Sequence, residues 1–185
     1  MTELAMHAAD RDIADALCEQ ARSAYDARTP LRIVGGDTRA FYGRPVEGQA
    51  LSVAEHSGIV SYDPVELIVT VRAGTRLSAL QAALAENHQM LGFEPPVFGE
   101  QSTIGGAVAT GLSGPRRPWA GAARDFVLGT RIITQEGKLL RFGGEVMKNV
   151  AGYDLSRMMA GAQGTLGVLT DISFKGLPIP NATHS

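Results

Sequence analysis

At 185 residues, with 44% hydrophobic and 19% charged side chains, the chain can bury roughly 70% of its unfolded surface without staples, and its composition excludes disorder. A formal net charge of −2, with no basic stretch interleaved with aromatics, excludes a nucleic-acid backbone binder. The single cysteine, Cys18, excludes an internal disulfide framework or cysteine metal cluster and suits a reducing cytoplasm; the N-terminal MTELAMHAADRD and the absence of long apolar runs predict neither an export signal nor a spanning helix.

In chain order, Ile13, Leu17, Cys18, Ala21 and Tyr25 recur at helical spacing between Asp10 and Arg28, which predicts an amphipathic helix ended by Pro30. Leu31 to Val34 is a short apolar strand closing on Gly35-Gly36, and Ala50 to Val53 is another. Ile59 to Tyr62 and Leu67 to Val71 flank the turn signal Asp63-Pro64. The run LIVTV is continuously apolar and β-branched, the pattern of a strand covered on both faces. Leu77, Leu80 and Leu84 predict a helix over Ser78 to Glu86, and the alternation of strand and helix so far predicts an α/β subdomain. Past Pro95-Pro96 the texture changes. A small-residue segment, STIGGAVATGLSGP, precedes Phe126 to Thr134, a Glu136-Gly137 turn and Lys138 to Phe142, which together read as a hairpin. A helix from Tyr153 to Met159, a glycine-rich turn and a strand from Val168 to Lys175 follow. The expectation is an α+β fold with an N-terminal helical segment at 1–29 and two subdomains, about 30–95 and 96–178, the second mainly antiparallel.

Glycine is the compositional outlier, at 22 residues against an average of about 7%. In LRIVGGDTRAFYG a strand runs into Gly35-Gly36, followed by Asp37, Thr38 and Arg39. Consecutive glycines after a strand can turn several backbone N–H groups onto a phosphate, with Thr38 adding a hydroxyl and Arg39 a charge. Taken alone, the pattern also reads as a turn, and it is neither GxGxxG nor the P-loop. In PPVFGEQSTIGGAVATG, Ser102 or Thr103 can cap a short helix facing an anion, or the small residues can simply serve tight packing. In MMAGAQGTLGV the three glycines 161, 164 and 167 follow a helix and precede a strand, the reverse of a dinucleotide loop. Gly161 is expected to cap the helix, leaving the Gly167-Val168 backbone to meet a ring. The four histidines form no spaced cluster, so solvated or capping roles are expected and no metal site is.

Taken together and in order, GGDT, STIGG, ARDFVLGTRIIT and AGYDLSRMMAGAQGTLGVLT resemble the flavoprotein superfamily named for vanillyl-alcohol oxidase and p-cresol methylhydroxylase. Within it, GPRRPWAGAARDFVLGTRIIT and FGGEVMKNVAGYDLSRMMAG are similar to the FAD-binding subunits of bacterial glycolate oxidases. The likeness runs from Leu31 to Pro178 and rests on the ordered set, since each motif alone is weak.

The resemblance implies a two-subdomain FAD-binding domain of the p-cresol methylhydroxylase type at 30–178, with 179–185 beginning a linker or ending a truncated chain. By the same resemblance, Gly35, Gly36, Asp37, Thr38 and Arg39 wrap the FAD pyrophosphate. Ser102, Thr103, Gly105 and Gly106 lie along the ribityl chain and flavin, and Gly164, Gly167 and Val168 supply main-chain contacts. Some relatives attach flavin to a histidine beside the first loop; none lies between His7 and His56 here, which implies noncovalent FAD. Lys148 and Arg116-Arg117 suit an anionic substrate, or equally a solvated face or subunit contact. The implied chemistry is oxidation of a 2-hydroxy acid, glycolate to glyoxylate, by hydride transfer to FAD, with no catalytic base singled out. The implied partners are a second flavoprotein subunit and an iron–sulfur subunit, through which a cytoplasmic chain would associate with a membrane. Relatives continue into a second domain that supplies most of the substrate pocket. Two alternatives therefore stand beside the enzyme: a noncatalytic FAD-carrying or assembly subunit, and a truncated chain that binds no flavin.

Overall fold

The computed structural model describes residues 10–144 and 154–181; the segment before Asp10, Lys148, Tyr153, His7 and His184 lie outside the described residues. Helix α1 (Ala14–Asp26) turns Ala14, Leu17, Ala21 and Ala24 inward, a stripe of the helical period. It begins later than its apolar spacing suggests because two side chains stop the backbone short. Asp12 Oδ1 accepts the Ala14 N–H at 2.9 Å and His56 Nδ1 accepts that of Ile13 at 3.1 Å. Arg11 is thereby left extended, in a bridge with Ser57. Strands β1 (Leu31–Val34) and β2 (Gln49–Ser52) pair in parallel. Leu17 and Ala21 of α1 bury against Leu51, Val53, Ile133 and Val168 in a small separate core.

The rest of the chain builds a sheet and the helices laid on it. In order come β3 (Ile59–Asp63), β4 (Ile68–Arg72), α2 (Leu77–Ala85), β5 (Gln89–Met90), α3 (Ile104–Thr110), α4 (Arg117–Ala120) and α5 (Ala123–Phe126). They are followed by β6 (Val127–Ile133), β7 (Leu139–Gly143), α6 (Leu155–Met158), β8 (Val168–Lys175) and β9 (Leu177–Pro178). Five of the strands form one sheet in the order β3-β4-β8-β6-β7, with every neighbouring pair antiparallel. The architecture is α+β. The sheet nevertheless crosses the subdomain boundary expected near residue 95, because β8 offers two edges and takes β4 on one and β6 on the other. A strand in that position is covered on both faces, and Val168 to Phe174 are all buried.

The main core lies between this sheet and helices α2, α3 and α5, around Phe93, Phe126 and Phe174. The ring of Phe93 sits 6.0 Å from Phe126 and 5.9 Å from Phe174, within the range of favourable aromatic pairs. One expected cap is corrected. Helix α6 ends at Met158, and Gly161, two residues past its cap, donates its N–H to Val108 O of α3 at 2.9 Å. It joins two elements rather than closing one.

His56 is fully buried, so it caps α1 from inside the protein and is not solvated. Since Nδ1 accepts from Ile13, its proton is assigned to Nε2, which faces Asp171 Oδ1 at 3.6 Å. The other Asp171 oxygen meets Arg131 at 3.1 Å and the Thr170 hydroxyl at 3.2 Å. Burial pushes the Asp171 carboxyl up, but the approach of His56 and the Arg131 charge outweigh it and hold the group below its ordinary value. A depressed folded-state pKa stabilises above the unfolded value, about 3.9, and loses that contribution as pH falls through the folded one. Urea unfolding at pH 7 down to pH 2.5 should therefore show wild type losing its advantage over Asp171→Asn only below about pH 4. An advantage that stays constant across that range would exclude the network as a source of acid sensitivity.

Candidate functional site

A groove of about 400 Å³ opens between the β1–β2 lobe and the sheet face carrying α3. One wall comes from β1 and the loop after it, through Arg32, Ile33, Val34, Gly35, Asp37 and Arg39. The opposite wall comes from Gly105, Gly106, Ala109 and Thr110 of α3, with Gly164, Gly167 and Leu169 closing the end. All three segments expected from the sequence meet there. The volume falls within the range of small-molecule and cofactor sites, about 300–1,000 Å³.

The twelve residues singled out divide into two kinds. Gly35, Asp37, Arg39, Gly105, Gly106, Gly164 and Gly167 line the groove, whereas Gly36, Thr38, Ser102, Thr103 and Val168 stand behind it. Thr38 and Ser102 join hydroxyls at 3.0 Å, locking the first loop to the second. Thr103 Oγ1 accepts the Gly106 N–H at 3.3 Å and caps α3, the role expected of it. Val168 turns its side chain into the small core and pairs with Ile133. A Cβ on Gly36 would fall inside the van der Waals shell of Gln101 O, and one on Gly35 would lie 2.5 Å from Thr103 Oγ1. These glycines therefore serve the close approach of two chain segments.

That approach leaves backbone donors in the first loop unpaired. Among the described residues, the N–H groups of Gly36, Asp37 and Thr38 form no hydrogen bond. Successive free N–H groups in such a turn make an anion-binding concavity, and Asp37 helps to shape it by taking φ +54°. The charges of the described lining residues agree: Arg32, Arg39 and Arg44 against Asp37 alone, whose carboxylate is held by Arg32 at 3.0 Å. The Arg39 side chain is 8% exposed. Its Nη2 donates to Pro96 O at 2.7 Å and its guanidinium lies 5.3 Å over the Phe98 ring. Phe98 in turn meets Phe41 edge-on at 5.0 Å. Burial lowers the Arg39 pKa from its ordinary value.

A family profile described as an FAD binding domain matches residues 12–143. The chain belongs to the FAD binding domain family. Glycolate oxidase subunit GlcE of Escherichia coli is 62% identical over 174 residues, covering 94% of this chain and 50% of that protein. Glycolate oxidase subunit GlcD of Bacillus subtilis is 34% identical over 156 residues, covering 83% of this chain and 33% of that protein. The chain thus spans half the length of the first and a third of the second. Among solved structures, an alkyldihydroxyacetonephosphate synthase superimposes with a TM-score of 0.72 at 25% identity, covering 91% of this chain and 33% of that one.

The cofactor of this FAD binding domain family is FAD, and the groove fits it: free N–H donors and cationic side chains suit a pyrophosphate, and Ile33, Val53, Met159 and Leu169 suit apolar ring faces. These four were not singled out in the sequence: Ile33 and Leu169 lie on β1 and β8, and Val53 and Met159 just past β2 and α6, and only the fold brings them together. Arg116 packs on Met90 Sδ at 3.4 Å and gives its N–H to Glu94; neither it nor Arg117 lines the groove. No helix among the described residues is long and apolar enough to cross a membrane.

Proposed function

We propose that the chain is the FAD-binding domain of a 2-hydroxy-acid oxidoreductase that oxidises glycolate to glyoxylate within a multisubunit complex. The likeness to subunit GlcE over nearly the whole chain carries this reading. Residues 30–178 form the domain, with a second flavoprotein subunit and an iron–sulfur subunit as partners in the cytoplasm. Membrane association comes through those partners. Cys18 is a lone free thiol among the described residues and cannot hold a cluster, so iron–sulfur chemistry belongs to a partner.

Bound FAD supplies the hydride acceptor. The chain's own part is to hold it. The Asp37 N–H and the Arg39 charge take the pyrophosphate, with Gly36 and Thr38 holding the loop against Gln101 and Ser102. Gly105 lets α3 close on Ala73 and Gly106 keeps its groove-facing surface free of side chain beside Arg39, and Gly164 and Gly167 bring the last loop up to the ligand. Ser102, Thr103 and Val168 keep those segments in place from behind. Attachment is noncovalent.

The test is to purify the chain after flavin-supplemented expression, record its visible absorbance, then precipitate it with acid. Flavin is expected to co-purify and to leave with the supernatant. Anaerobic glycolate is expected to bleach it when the partner subunits are present. A colourless preparation would overturn the reading, and fluorescence remaining on the polypeptide in a denaturing gel would overturn noncovalent attachment. Flavin that binds fully yet never responds to glycolate in the complex would mark a noncatalytic carrier.

A further inference from the structure

We infer that Arg39 carries a buried charge for which the described residues provide no counter-ion, and that the cofactor's phosphates complete it, so that the empty domain is less stable than one with a neutral side chain there. The inference rests on the reading that the groove holds FAD.

Two other sequestered charged groups among the described residues are answered by the chain itself. Asp171 has Arg131 at 3.1 Å, and Arg72 has Asp10 and, at 3.5 Å, Asp12. Arg39, at 8% exposure, has a carbonyl at 2.7 Å, a hydroxyl at 3.5 Å and an aromatic face. Among the described residues no carboxylate forms an ion pair with it, and its buried Nε has no hydrogen-bond partner. Asp37, the only acid among the described residues that line the groove, is already engaged by Arg32. Withdrawing a guanidinium from water without a counter-charge is costly, and an apolar or neutral replacement of similar volume often raises stability. The side chain lines the groove beside the free N–H groups of the first loop, where an anion would complete both. A ligand that binds only the folded state returns that stability by mass action.

The test compares thermal unfolding and ligand affinity of wild type with Arg39→Met and Arg39→Gln, the second keeping an N–H donor for Pro96 O. The ligands are FAD, ADP, inorganic pyrophosphate and riboflavin, which carries no phosphate. Without ligand, at least one neutral variant is expected to unfold a few degrees above wild type. Pyrophosphate, ADP and FAD are expected to raise the wild-type midpoint and to bind the variants roughly tenfold to a hundredfold more weakly, the loss of a charged hydrogen bond. Riboflavin is expected to treat all three proteins alike.

FAD, ADP and pyrophosphate binding the variants as tightly as wild type would overturn the inference and leave the FAD reading standing. Both neutral variants unfolding at or below the wild-type temperature without ligand, or failing to fold, would overturn it too, since the charge would then be structurally satisfied. A wild-type response to pyrophosphate but not to FAD would keep the counter-ion role and discard the FAD reading. No response of wild type to any phosphate would discard both.

Discussion

Gly36→Val is expected to abolish flavin retention and to lower the unfolding temperature as well. Gly36 does not line the groove; its α-carbon is pressed against the backbone of Gln101. Even the Cβ of alanine would collide there, and a backbone carbonyl cannot rotate away as a side chain tip can. The loop of residues 35–39 must then lift from the loop of residues 98–102. Lifting it breaks the Thr38–Ser102 contact and displaces Gly35, Asp37 and Arg39 from the groove wall. Overpacking of this kind costs about 1–3 kcal/mol, occasionally more. Absorbance after desalting, beside a thermal melt followed by circular dichroism, measures both effects. A variant that keeps its flavin at the wild-type unfolding temperature would show that the first loop is not part of the site.

Phe93→Ala should have the largest effect on stability. The side chain is fully buried, and its ring touches both Phe126 and Phe174. Truncating such a residue loses about 3–5 kcal/mol, a large share of the roughly 5–15 kcal/mol that holds a typical domain together. The damage should reach the groove, because Phe93 anchors the start of the segment that carries Pro96 and Phe98 to Arg39. Gly114 also donates its N–H to Phe93 O at 2.9 Å, so the segment entering α4 depends on the same anchor. A denaturant titration is expected to show a lower midpoint with an unchanged slope, and weaker FAD binding under conditions where the variant is folded. A midpoint within experimental error of wild type would refute the placement of this ring at the centre of the core.

How far the sequence foretold this depends on how local each cause was. The β6–β7 hairpin was readable because its turn residue, Gly137, takes φ +72° and apolar runs flank it. Strand β4 announced its two covered faces by being apolar without alternation. Helices α4 and α5, of four residues each, are too short for periodicity to register. The sheet order was hidden for a different reason: nothing near Ile68 says that its partner is Lys175. His56 reads from the sequence as a solvated or capping residue, and only the distant Asp171 and Ile13 show why it is buried. At the site, the glycines and Arg39 stood out as chemical types, while Ile33, Val53, Met159 and Leu169 are ordinary apolar residues until the fold brings them together. Gly36 and Thr103 were found for their chemistry, and the structure gives them work in joining the walls.

The position of β8 has a consequence for synthesis on the ribosome. It is made after the other four strands of its sheet, yet it lies third of five in that sheet. While the chain emerges, the β3–β4 pair and the β6–β7 hairpin both wait with an open edge, and neither can reach the other without it. Open edges of this sort are templates for pairing with other nascent chains. Such long-range pairing is also slow, since loop closure precedes any reward from the contacts. The vulnerable interval for this sheet therefore lasts until Lys175 clears the exit tunnel, and the sheet's chaperone dependence should peak just before that point.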